Sequence, residues 1–325
     1  MLFIKVGLCY NELILKTQLF EVNLLNTYGW LIYNGGLRTP KYMELNELYA
    51  AAAKKCDINL ELVANDELYA CIENGNAVLH TARPLQSPEF ILFLDKDIRL
   101  AKHLEKLGYT LFNSREVIEN CDDKMLTFQI LANSGIKMPK TFFCPLYFYG
   151  TGTGEPNPDF TTTLEKELGY PMVIKEAFGS FGAQVYLIHN QEELIAKQKE
   201  LIYTPHLYQE FIQSSTGRDV RIYVVGDQVV ASMYRHSDTD FRANISNGGT
   251  ALPYSPNEAF CQMAIKATKV LEADFTGIDL LFGENDEPIL CEVNSNAHIK
   301  NIYDCTGVDV AHFIFKYILE KIAHE

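Results

Sequence analysis

Three residues toward the C-terminal end, Asp279, Glu292 and Asn294, stand at a spacing that would gather oxygen ligands on one sheet face. The runs FTGIDLLFG and PILCEVN read as two strands joined at an Asn285-Asp286 turn. In an antiparallel hairpin centred there, Gly283 pairs with Pro288, Leu281 with Leu290 and Asp279 with Glu292. Strand side chains alternate, so Asn294 projects with Glu292. Like charges directly opposed destabilise a sheet unless something lies between them. A divalent cation answers that need, and an oxygen-only set with a carboxamide suits Mg²⁺ or Mn²⁺ rather than zinc. The plain alternative is a solvated hairpin edge. Leu280, Leu281, Ile289 and Val293 count against it, because they make both strands read as buried, and buried carboxylates need partners.

Further basic and polar groups fall at strand ends and in loops. Lys175 closes the apolar run Met172-Val173-Ile174, where it either meets an anion or snorkels to solvent. Lys124, near a helix start, is unremarkable alone, since Asp122 and Asp123 could pair with it. Glu210 ends a strand ahead of Phe211, where a carboxylate can accept hydrogen bonds from ribose hydroxyls or an amino group. Asp219 and Arg221 share a strand face, with Arg218 adjacent, and a simple salt bridge between the two is the bland reading. Arg242 and Asn244 precede a double glycine in a polar loop that could wrap phosphates, for which guanidinium groups are suited.

The elements that must position these groups form an α/β chain. Its first third alternates strand and helix: GWLIYNG, the helical KYMELNELYAAAAKK, NLELVAN, a short helix from Asp66, EFILFLD, and a helix to Leu107. YTLFN follows, and Asn113 with Glu116 offers a capping box, so a boundary falls near residue 113. A helix over DDKMLTFQILANSG stops at Gly135. YGTGTGEPNPD reads as a loop, and without a strand-to-helix context and a Walker lysine it is no phosphate cradle. PMVIKEA, the glycine-bearing FGSFGA and QVYLI then give strand, turn and strand, the pattern of a flap over a ligand. From His206 the chain reads as largely antiparallel, with a helix from Asn257 to Glu272.

Length and composition bound the rest. A chain of 325 residues exceeds one typical core and divides into two or three parts. No apolar run reaches the roughly 18 residues of a membrane span and no signal peptide is evident, so a cytoplasmic protein with no membrane partner is expected. The eight cysteines are scattered without a CxxC pair, which indicates neither zinc nor disulfides. A formal charge of -14 disfavours nucleic acid as a partner.

Taken in order, DDK at 122–124, VIK at 173–175, GSFG at 179–182, QEFI at 209–212, GRDVRIYVVGD at 217–227, DFRANISNGGT at 240–250, TGIDLL at 276–281, CEVN at 291–294 and TGVDV at 306–310 resemble the ATP-grasp ligases, most of all the RimK-type glutamate ligases. The resemblance covers roughly residues 100–320. It implies an ATP-grasp fold with an N-terminal pre-ATP-grasp α/β domain over 1–112, a central part with a flap over 113–205 and a C-terminal part with an antiparallel sheet over 206–325.

The resemblance also implies roles. Lys124 and Lys175 would grip the phosphates of ATP under a flap carrying Ser180, Phe181 and Gly182. Glu210, Phe211, Ile212 and Asp219 would contact the nucleotide, and Arg242, Ala243 and Asn244 would meet phosphates and metal. Asp279, Glu292 and Asn294 would ligate Mg²⁺ or Mn²⁺, as two ions. Arg221, or failing it Arg242, would stabilise charge developing at the acyl carbon. The implied reaction joins a carboxylate to an amine through an acyl phosphate, with an amino acid such as glutamate and an amine, peptide or protein acceptor as partners, in a homo-oligomer (dimer or tetramer). A dipeptide or peptide-crosslinking ligase is the second enzyme reading. A nucleotide-binding regulator without turnover is the third, opposed by the joint presence of both lysines, the metal set and the arginines. Ser295-Asn296-Ala297-His298 departs from the family's small residue and Pro-Gly turn, which leaves the added amino acid and the acceptor open.

Overall fold

A computed structural model describes residues 27–150, 154–180 and 182–324. The described residues divide into two compact units, one comprising those up to Ser114 with Ala311–His324, the other those of Arg115–Val310. The first break lies two residues from the expected one. The C-terminal helix, expected with the third part, belongs instead to the first unit.

In the first unit β1 (Tyr28–Tyr33) leads through α1 (Pro40–Lys55) to β2 (Asn59–Ala64), which pairs with it in parallel. The expected short helix from Asp66 is one 3-10 turn over Asn65–Glu67, followed by a hairpin of β3 (Leu68–Glu73) and β4 (Asn76–Thr81). Asn74 and Gly75, with φ of 50° and 81°, make its two-residue turn. Positive φ at both positions matches the right-handed twist of the flanking strands, which is why Asn-Gly favours hairpins. Next come β5 (Phe90–Phe93), α2 (Ile98–Lys106), capped by Asp97, and β6 (Leu111–Phe112). The parallel order is β2-β1-β5-β6. Trp30, Leu31, Ile32, Ile91 and Leu92 are buried, as unbroken apolar runs are in a sheet covered on both faces.

The second unit opens with α3 (Arg115–Asp122), just past the Asn113–Glu116 signal, and α4 (Lys124–Leu131), which starts two residues later than expected because Asp123 caps it. β7 (Thr141–Phe143), α5 (Pro158–Leu168), β8 (Met172–Glu176), β9 (Val185–Ile188), α6 (Gln191–Glu200) and β10 (His206–Glu210) follow. Their antiparallel sheet runs β7-β10-β8-β9. β10 was expected to begin the C-terminal part, yet it is an inner strand here, joined to β8 by a long-range pairing that no local pattern announces. Met172, Ile174 and Tyr208 pack with Leu164 and Leu194 of the helices, so by alternation Val173 and Lys175 face the other way.

The rest of this unit is β11 (Arg218–Val225), β12 (Gln228–His236), β13 (Thr250–Pro253), α7 (Glu258–Val270), β14 (Phe275–Phe282), β15 (Pro288–Asn294) and α8 (Ile299–Thr306). The antiparallel order is β13-β12-β11-β14-β15. Val220, Ile222, Ile278, Leu280 and Leu290 form one core with Phe260 and Ala264 of α7, which leaves Asp219, Arg221 and Asp279 on the opposite face. Finally α9 (Val310–Ile322) places Phe315 edge-on to Tyr49 and Phe90, with ring centroids 6.4 Å apart in each pair. Among the described residues no helix is long and apolar enough to cross a membrane.

Candidate active site

The β14–β15 hairpin does put Asp279 opposite Glu292, though by another route than the one expected. Its loop has three residues, not two. Gly283 N donates to Glu287 O at 2.8 Å, Asp286 N donates to Gly283 O at 3.1 Å, and Asp286 has φ 55°. The longer loop sets Phe282 opposite Pro288 and Leu280 opposite Leu290, so the expected pairs Gly283–Pro288 and Leu281–Leu290 do not form. A β-bulge at Cys291 then restores the register at Asp279–Glu292 and Gly277–Asn294. A bulged residue leaves the alternation of its strand. Cys291 therefore lines the same cleft as Glu292, and Lys175 Nζ lies 3.6 Å from its sulfur. Burial pushes this thiol's pKa up, against the pull of Lys175.

The opposed carboxylates, expected to need an intervening metal, are met by protein cations. Arg221 Nε and Nη2 donate to the two Asp279 oxygens at 2.6 Å each, and Arg235 Nη2 lies 3.0 Å from Oδ2. Arg235 in turn grips both Asp219 oxygens at 2.6 and 2.7 Å. The bland alternative of an Asp219–Arg221 salt bridge gives way to two cross-strand pairs, because Arg221 faces Asp279 across β11–β14 while Arg235 faces Asp219 across β11–β12. Burial alone would raise the Asp279 carboxyl, but Arg221 and Arg235 outweigh it and hold its pKa at about 2. Burial pushes Asp219 upward, and Arg235 offsets only part of this. Glu292 has its own cation, Lys124 Nζ at 3.5 Å.

Both lysines are buried. Asp123 is occupied in capping α4, accepting from the backbone of Met125 and Leu126, so Lys124 turns to Glu292 and to Gly179 O at 3.3 Å. Lys175 does not snorkel to solvent. In the glycine turn, Ser180 N donates to Gln184 Oε1, and Gly182 has φ 73° with its carbonyl accepting from Arg242 Nη1. A Cβ on Gly182 would come within 2.8 Å of Asn244 Oδ1, so the turn and the 240–250 loop meet closely. Phe181 lies outside the described residues. Arg242 is also held by Asp240, through hydrogen bonds that lower that carboxyl's pKa. Glu210 Oε1 accepts from Lys140 N at 2.8 Å, and the Phe211 and Phe241 rings stand 6.2 Å apart.

These groups border one cleft with an empty volume of about 890 Å³, part of it open to solvent. Lys124, Lys175, Ser180, Gly182, Glu210, Phe211, Ile212, Asp219, Arg242, Ala243, Asn244, Asp279 and Glu292 all line it. Arg221 and Asn294 are not among its lining residues. Arg221 reaches it through Asp279, and Asn294 Nδ2 donates to Gly277 O at 3.4 Å. Arg218, Arg235 and Cys291 line it too, and the sequence reading gave none of them a role there. Apolar walls from Val173, Leu281, Phe211 and Phe241 beside buried lysines suit a ligand with a flat apolar part and a multiply charged part, the character of a nucleoside polyphosphate.

Fold comparison defines the class first. The structure superposes with a TM-score of 0.64 on the ATP-grasp ligase PsnB complexed with a phosphomimetic variant of its minimal precursor, Mg and ADP, at 15% identity over 92% of this chain and 99% of that one. This is the mixed α/β architecture of ATP-grasp ligases. The RimK-like ATP-grasp domain matches residues 121–318, and the chain belongs to that family. Beta-citrylglutamate synthase B of Mus musculus is 34% identical over 303 residues, covering 89% of this chain and 76% of that protein. N-acetylaspartylglutamate synthase A of Homo sapiens is 31% identical over 293 residues, 85% and 72% of the two chains. The protein is an ATP-grasp carboxylate–amine ligase of the ADP-forming type.

Proposed function

We propose that this chain joins the amine of glutamate to a carboxylic acid, consuming ATP with a divalent metal. The observation that carries this reading is the convergence of buried Lys124 and Lys175 with Asp279 and Glu292 in one cleft. Glutamate enters from the relatives' names: citryl and N-acetylaspartyl groups have no free amine, so in those products glutamate must supply it.

The geometry is compatible with the following roles. Lys124 and Lys175 neutralise phosphate charge, which buried cations do more strongly than exposed ones. The 179–182 turn offers backbone N–H groups to the same phosphates. Glu210, whose Oε1 is engaged by Lys140, has a second oxygen for the nucleoside, and Phe211 and Ile212 present the backbone beside it. Asp219 completes this wall, and Arg242, Ala243 and Asn244 form the loop opposite the glycine turn. The metal donors fit a hard cation. Asp279 Oδ1 accepts from Arg221 alone and keeps a lone pair, Glu292 is opposite, and the Asn294 amide donates through nitrogen, which leaves its oxygen for an ion. Bound there, Mg²⁺ or Mn²⁺ would supply charge neutralisation for phosphoryl transfer. Arg221 uses only Nε and Nη2 on Asp279, so N–H groups remain to stabilise an oxyanion.

In the reaction a carboxylate oxygen bonds to the γ-phosphorus as the bond to the ADP oxygen breaks. The glutamate nitrogen then attacks the acyl carbon, phosphate leaves, and the amine gives up a proton. Incubating the purified protein with ATP, Mg²⁺, glutamate and a panel of carboxylic acids, with mass spectrometry of all products, tests the reading. ADP, phosphate and an acylglutamate are expected. AMP with pyrophosphate, or an amide lacking glutamate, would overturn it.

A further inference from the structure

Far along the chain from the cleft residues, the β3–β4 hairpin gathers a second set of ligands. Tyr69 faces His80, Cys71 faces Val78 and Glu73 faces Asn76, so alternation puts Cys71, Glu73 and His80 on one face. Cys71 Sγ lies 3.6 Å from Glu73 Oε1, and His80 Nε2 lies 2.6 Å from the same oxygen. Among the described residues this is the one group of three or more His, Cys, Asp or Glu side chains with ligand atoms all within 4.8 Å of one another. We propose that Cys71, Glu73 and His80 bind a zinc-class divalent ion.

The distances fit such an ion. A tetrahedral zinc with bonds of about 2.0–2.1 Å to nitrogen and oxygen and about 2.3 Å to sulfur separates its ligand atoms by roughly 3.3–3.5 Å. The Cys71–Glu73 separation is already close to that edge. The His80–Glu73 contact is a hydrogen bond that lengthens by less than about 1 Å when the ion takes the proton's place. His80 and Glu73 are 58% and 52% exposed, so an ion can enter from solvent and water can fill the fourth position. A thiolate, an imidazole and a carboxylate together select zinc over the hard cation proposed for the cleft. On binding, the Cys71 thiol loses its proton to solvent, the imidazole ligates through Nε2, and the carboxylate is already ionised.

The fold gives such an ion something to do. The hairpin is a sheet of two strands only, and two-stranded sheets are marginal in water. Cys71 and Glu73 are on β3 and His80 is on β4, so one ion clips the strands together. The sequence hid the site because its ligands have no CxxC spacing and come together only once the Asn74-Gly75 turn closes.

The test is calorimetric titration of the metal-stripped full-length chain with Zn²⁺ under saturating Mg²⁺, paralleled by Co²⁺ titration read by absorption. One site is expected, with proton release and a sulfur-to-cobalt charge-transfer band. Affinity should fall at least about tenfold in Cys71→Ser and in His80→Ala, and hold in Cys291→Ser and Glu292→Gln. Circular dichroism confirms that each variant is folded. Absence of stoichiometric Zn²⁺ binding, absence of the charge-transfer band, or affinity unchanged in both hairpin variants would overturn the proposal.

Discussion

Replacing Arg235 by Met tests whether the buried charge network is read correctly. Arg235 is 3% exposed, and its removal strips Asp219 of the side-chain donors to both its oxygens while Asp279 keeps Arg221. A buried carboxylate without a partner takes up a proton. With an ordinary Asp pKa of about 3.9 and about 1.4 kcal/mol per unit, holding that carboxyl neutral at pH 7 costs up to about 4 kcal/mol, less whatever burial already costs the intact pair, against the roughly 3–5 kcal/mol typical of a broken buried pair. The folded variant would then bind one proton more than its unfolded chain, so its deficit shrinks as pH falls, to at most about 1.5 kcal/mol at pH 5. Urea unfolding should be followed by circular dichroism, since the single tryptophan, Trp30, lies in the first unit. The full loss of about 4 kcal/mol would correspond to about 8–16 °C in melting temperature for a unit of this size. Asp219→Asn on top of Arg235→Met should recover most of it. Lys199→Ala, which breaks an exposed pair with Glu155, should cost less than about 1 kcal/mol. A deficit below about 1 kcal/mol in Arg235→Met, or one that does not change between pH 5 and 7, would refute the reasoning.

Glu292→Gln should abolish metal-dependent ADP release while leaving the circular dichroism spectrum intact, and full turnover in that variant would remove Glu292 from the ligand set. His206 is buried, with Nδ1 against Thr204 O and Nε2 against the Tyr208 hydroxyl, and burial lowers its pKa. The unfolded chain therefore binds the proton first, and stability should decline as pH falls below about 6.5, with a shallower decline in His206→Gln; equal slopes would contradict this. Gly277→Ala would bring a Cβ within 2.2 Å of the Ala297 Cβ. It should destabilise by about 1–3 kcal/mol and, by shifting residues 295–298, raise KM for the carboxylic acid or the amine more than for ATP; an equal effect on all three would separate that segment from substrate recognition.

The side chains were more legible in the sequence than their partners. Lys175 was visible because it ends an apolar run, and the shared face of Asp219 and Arg221 followed from strand period alone. Partners depend on register, and register depends on residues inserted without partners. On β11–β12, Val224 faces Val229 but Tyr223 faces Ala231, so Val230 is the extra residue, and its insertion sets Arg235 rather than Tyr234 opposite Asp219. On β14–β15 a loop one residue longer than expected and the extra Cys291 cancel, so the Asp279–Glu292 pairing was reached through the wrong turn. The β3–β4 hairpin was a different failure. Asn74-Gly75 is a local turn signal for it, and a short helix from Asp66 was expected in its place. A bulge has no such announcement, because any residue can be the one left out of a ladder. Two residues without charge, Val230 and Cys291, thus help decide which charges in the cleft neutralise one another, since deleting either would move its strand by one position and turn Arg235 or Glu292 away from its partner.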